Sequence, residues 1–83
     1  MIASLDSVVS VLRSHSYFDY ANEMERLAKE LISPDKQVVQ HAARIIRGKC
    51  HAKDLGDLTM TNISYREWDS LLVQLSSDME TFL

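Results

Sequence analysis

The chain has 83 residues, 46% of them hydrophobic and 25% charged, with a formal net charge of -3 and a pI near 5.5. Such a length makes one domain, spanning 1–83, that buries about 60–65% of its unfolded surface. A single Cys excludes an internal disulfide, no apolar run approaches the roughly 18–20 residues of a membrane span, and the acidic balance weighs against a general nucleic-acid binder.

Two Gly and one Pro are too few for the turns of an all-β fold, so the expected class is all-α: a compact bundle of about four helices. Helix one is predicted from Leu5 to Ser14, with Ser4 as its N-cap. Ile2, Leu5, Val8, Val9 and Leu12 recur at spacings of three and four, although Val8-Val9 also suits a strand. Met1-Ile2-Ala3-Ser4-Leu5-Asp6 places no basic region ahead of an apolar run. No signal peptide is expected, and a cytoplasmic protein is.

Helix two is predicted over Tyr17–Ile32, capped by Ser16 with Asp19 in a capping-box-like position. Its apolar stripe is Tyr17, Tyr20, Ala21, Met24, Leu27, Ala28 and Leu31. Opposite stand Asp19, Glu23, Arg26 and Glu30; Arg26–Glu30 and Glu25–Lys29 are spaced to pair across one turn. Tyr17, Phe18 and Tyr20 cannot all point inward, so at least one belongs at the surface, where Tyr is an enriched anchor.

Ser33-Pro34-Asp35 restarts the helix, with Ser33 as N-cap and Pro34 at the first helical position. Helix three then runs to about Arg47, with Val38, Val39, Ala42, Ile45 and Ile46 inward and Gly48 as a left-handed stop. The loop Gly48–Asn62 is long for so small a bundle, and long loops in compact domains are mostly functional or disordered. Leu55, Leu58 and Met60 are spaced to alternate inward as a short extended segment. Helix four opens on the capping box Ser64/Glu67, with Ile63 and Trp68 placed for a hydrophobic staple. Trp68, Leu72, Leu75, Met79 and Phe82 make a seam able to close a bundle or a homodimer.

Charge is the most informative pattern. Residues 36–53 hold Lys36, Arg44, Arg47, Lys49 and Lys53 and no acid, so about +5 there faces about -8 elsewhere. Arg44, Arg47, Lys49 and Lys53 could grip phosphate, but they gather at the negative end of a helix, and no aromatic is interleaved for stacking on bases. Cys50-His51 among lysines could form a nucleophile, yet no orienting partner or oxyanion loop is recognisable. His15, His41, Cys50 and His51 lack any metal-ligand spacing, and Asp54 and Asp57 lack the oxygen-rich repeat of a calcium loop. No catalytic, metal or cofactor site is expected. A binding role is: Lys49, His51, Lys53, Asp54 and Asp57 on the loop, with Asp19 and Glu23 as a second patch.

The order of helix pair, apolar helix, glycine-started loop ending in Asp57-Leu58 and final Leu-rich helix resembles a group of small acidic all-helical bacterial proteins. Their Gly-rich loop closes in an Asn-Asp-Leu-type motif, and several are immunity-protein-like. Here Gly56 stands where that motif has Asn. The resemblance spans about residues 5–80. It implies a non-enzymatic toxin inhibitor whose partner is a cognate protein toxin. The competing expectations are a nucleic-acid-binding or regulatory module using 36–53 and a helical adaptor that dimerises through helix four.

Overall fold

The computed structural model describes residues 2–51 and 53–83; Met1 and Ala52 lie outside them. Four α-helices follow in order: α1 (Ala3–Ser14), α2 (Phe18–Glu30), α3 (Lys36–Lys49) and α4 (Tyr65–Glu80), with a 3-10 turn at Leu55–Asp57 in the long connection before α4. The described residues hold no strand, and none of their helices is long and apolar enough to cross a membrane. Val8-Val9 is helical. The helices close a ring: α1 packs on α2 and α4, and α3 packs on α2 and α4.

The periodic stripes explain the core. Leu5, Val8 and Leu12 of α1, Ala21, Met24 and Leu27 of α2, and Ala42, Ala43 and Ile46 of α3 are buried together with Trp68, Leu72, Leu75 and Met79 of α4. Ile2, Val9, Val39, Ile45 and Phe82 pack around their margin. Phe18 is 53% exposed and Tyr20 lies at the surface, so the crowded aromatics sort as geometry requires. The α4 seam is consumed inside the bundle, and the large apolar side chains left facing out of α4 are Tyr65 and Val73. A second copy docking on this helix would meet those two rather than the seam.

The helix ends differ from the pattern in four places. Ser4 is no cap: α1 begins two residues earlier, Ile2 occupies the cap position, and the Ser4 hydroxyl donates to Asp78 Oδ2 of α4 at 2.6 Å. Ser16 is not a cap either. It takes φ 63 in a left-handed turn, and Tyr17 precedes α2 without any side-chain capping bond. At the start of α3 Asp35 caps, accepting from Gln37 N at 2.9 Å, while Ser33 Oγ accepts from Asp35 N. Asp can cap from any extended position ahead of a helix, so pushing the start two residues onward leaves Pro34 outside it. Gly48 does not stop α3. It is helical with negative φ, and the helix runs through it to Lys49. Only Ser64 caps as its motif indicates, accepting from Glu67 N at 3.1 Å.

Candidate functional site

The long connection is fastened to the bundle from both sides. Its first half is a compact turn in which the His51 carbonyl accepts from Asp54 N and Gly56 N, at 3.0 and 3.2 Å. That turn carries Leu55 into the core, where its own carbonyl accepts from Trp68 Nε1 at 2.9 Å. The predicted inward set Leu55, Leu58 and Met60 does face the core, but it starts from a 3-10 turn and not from an extended segment. The second half is held by α1 and the residues that follow it. Tyr17 Oη donates to Thr59 O at 3.0 Å, and His15 Nε2 accepts from Thr61 N and Asn62 N at 2.9 and 3.2 Å.

This fastening sorts the candidate contact residues. His51, Lys53 and Asp57 are exposed on the held turn; Asp54 is half-buried. Lys49 sits on the last turn of α3, not on the loop. It pairs with Glu23 of α2 at 3.1 Å, so two residues assigned to separate patches neutralise each other. Asp19 stays exposed in the first turn of α2, and the presumed acidic patch shrinks to it. The other acids of α2 are also engaged: Glu30 with Arg26 at 3.3 Å, as the spacing predicts, and Glu25 with Arg13 of α1 rather than with Lys29.

The basic face of α3 is different. Lys36, Gln37, His41, Arg44 and Arg47 are exposed along one side, and among the described residues none of its three cations pairs with a carboxylate. At 100° per residue they span an arc of about 140° and a length of about 16 Å. Nothing stands within 4 Å of a Cβ built on Gly48, at the end of this arc. Beyond it, Arg47 and His51 border a shallow groove floored by Cys50 and Leu72 and rimmed by Ser76 and Glu80 of α4.

Cys50 lies beneath that groove as a half-buried free thiol. Burial first, and then the Asp54 carboxylate, pushes it up to about 11. Of the lysines that suggested a lowered value, Lys49 turns instead to Glu23. At neutral pH the group is a thiol, which is the wrong form for attack. Alkylation by iodoacetamide at about pH 7.5 is therefore expected to run about a hundredfold slower than for a cysteine peptide, and a rate equal to the peptide's would refute the burial argument. The stability consequence has a definite sign. Because the folded state keeps the proton to higher pH than the unfolded state, this contribution is intact below about pH 9 and is lost between about 9 and 11.

His41 is exposed on α3, and no group of three or more His, Cys, Asp or Glu among the described residues is placed to hold a metal ion. A separate groove of about 560 Å³ between α1 and α2 is lined by Leu5, Val9, Ala28 and Ile32, with the Arg13–Glu25 pair also in its wall. Sequence reasoning missed His15 and Tyr17 as loop anchors and the Lys49–Glu23 and Ser4–Asp78 contacts. The one available signal was His15 just past a helix end, a position where His commonly bonds the last carbonyls. Comparison with known protein families, with curated proteins and with solved structures finds no match to this chain.

Proposed function

We propose that the protein is a non-enzymatic immunity protein that binds a cognate bacterial toxin in the cytoplasm and blocks its active site or substrate groove. The observation that supports this reading is the held loop. A long connection that only joined two helices would not need a buried Leu55, a buried Trp68 hydrogen bond and three further bonds to its second half. Such a segment has already lost its conformational freedom, so binding through it costs little additional ordering. It offers His51, Lys53 and Asp57 at the surface, charges of both signs that can orient a complex. Arg47 borders the same groove as His51, and Arg44 is exposed three residues earlier on α3. Co-expression tests the reading: the product of an adjacent upstream toxin gene should arrest growth alone and be silenced by this protein through a stable complex. Absence of both complex and protection would overturn it.

A second reading has its own observation, the unpaired cations of α3. A helix face carrying Lys36, Arg44 and Arg47 with Gln37 and no acid suits a phosphate backbone, with Lys53 close by in sequence and Lys49 withdrawn into its pair with Glu23. Four phosphate contacts would give a salt slope of about -3.6, and Arg44→Ala with Arg47→Ala would flatten it by about 2. Duplex DNA or RNA binding with that slope would displace the toxin reading; salt-insensitive or absent binding dismisses the nucleic-acid one.

A further inference from the structure

His15 holds the end of the loop through a ring whose proton position its partners dictate. The residue caps the C-terminus of α1 and is half-buried. Nδ1 lies 2.9 Å from Val11 O, a carbonyl that can only accept, so Nδ1 carries the hydrogen. Ser14 Oγ, 3.1 Å from Nδ1, already donates to the same carbonyl at 2.8 Å and leaves that assignment unchanged. Nε2 faces two backbone donors, Thr61 N at 2.9 Å and Asn62 N at 3.2 Å, so it must be the bare acceptor. Only the neutral ring with hydrogen on Nδ1 satisfies all of these contacts.

We propose that His15 is a proton-sensitive latch: protonation of Nε2 releases residues 61–62 and loosens the loop. An imidazolium has no acceptor, so both amides would lose their partner and face a third N–H. The surroundings offer the cation little compensation. Arg13, two residues earlier, is engaged with Glu25; Asp19 lies in the first turn of α2; residues 59–62 carry no ionisable side chain; Tyr65, Arg66 and Glu67 open α4. Among the described residues no carboxylate pairs with the His15 ring. The carbonyl end of α1 favours a cation, but its contact reaches Nδ1 and leaves Nε2 opposed by donors. Tyr17 stacks on His15 with ring centroids 6.5 Å apart and makes its own bond to Thr59 O, in which His15 takes no part. Acid should therefore free the 61–62 end while residue 59 stays held. As regulation of partner binding this rests on the loop reading above; as a property of the free protein it does not.

The test uses the free, ¹⁵N-labelled protein. Long-range ¹H–¹⁵N spectra at about pH 7.5 should show the Nδ1–H tautomer. Amide-exchange protection of Thr61 and Asn62, corrected for the intrinsic pH dependence, should fall about tenfold by about pH 5 while Trp68 fluorescence shows the bundle intact. His15→Gln keeps an acceptor that does not titrate, so its protection should hold at both values. His15→Phe should be unprotected at both. An Nε2–H tautomer at neutral pH, or the same acid loss in His15→Gln, would overturn the latch. A working latch in a protein that neutralises no toxin would sink the functional reading alone. Neutralisation with pH-independent protection would sink only the latch.

Discussion

Replacing Trp68 with alanine is expected to cost the bundle about 3–5 kcal/mol, enough to bring it near the edge of folding. The residue is 1% exposed and joins the α4 seam to the loop. Truncation removes the largest side chain of the core and leaves a cavity that the surrounding helices can fill only in part. It also strands Leu55 O, whose partner is Trp68 Nε1. A chain of this length has about 4–12 kcal/mol in total, so one such loss is a large share. Trp68→Phe separates the two causes: it keeps most of the volume, and leaving the buried acceptor alone costs about 1–3 kcal/mol. Urea unfolding followed by far-ultraviolet circular dichroism measures both. A loss below about 1 kcal/mol for Trp68→Ala would mean that the seam and the loop anchor are misassigned.

The second large effect concerns the proposed partner. Exchanging the exposed loop charges, Lys53→Glu with Asp57→Lys, leaves net charge unchanged, so long-range attraction is largely preserved while the local pattern is inverted. Toxin affinity should fall about tenfold, or about 1.4 kcal/mol. Asp54 is left alone because it is half-buried beside Cys50, and reversing it would disturb packing as well. The matching control exchanges Arg66 and Asp69 on the outer face of α4, both exposed. Glu25 would be a poor control, since it is tied to Arg13. Titration calorimetry against the purified toxin reads both; equal losses would show that the loop is not where the complex is centred.

What could be seen in the sequence was what repeats along it. The stripes of α1, α2 and α4 predicted most of the side chains that are buried, Tyr20 of the α2 stripe lying at the surface instead, because burial at every third or fourth position is a local periodicity. Ser64 was legible for the same reason: its bond to Glu67 N spans three residues. Ala43 escaped because alanine fits either side of a helix. Gly48 was misread because glycine permits a left-handed stop without requiring one, and α3 has enough packing to continue through it. At the site, the exposed loop charges were identifiable but their engagement was not. Lys49 and Glu23 lie on different helices, and the bonds from His15 to Thr61 and Asn62 cross more than forty residues. No local pattern encodes a partner at that distance. It emerges only when the ring of helices sets which ends are neighbours.

That ring has a kinetic consequence. α1 meets α2 across a three-residue turn, but it meets α4 only after nearly the whole chain has been brought round, as the Ser4–Asp78 bond with its separation of 74 positions shows. Closing a longer loop costs more entropy, so the adjacent helix pairs can dock before the α1–α4 seam repays its own closure. That seam would then be the last part of the bundle to form and the first to open. Loss of the Ser4 hydroxyl should accordingly speed unfolding and leave the folding rate nearly unchanged; a folding limb slowed in proportion would place the seam in the nucleus instead. How long the native state survives would depend on a contact that plays little part in how quickly it is reached.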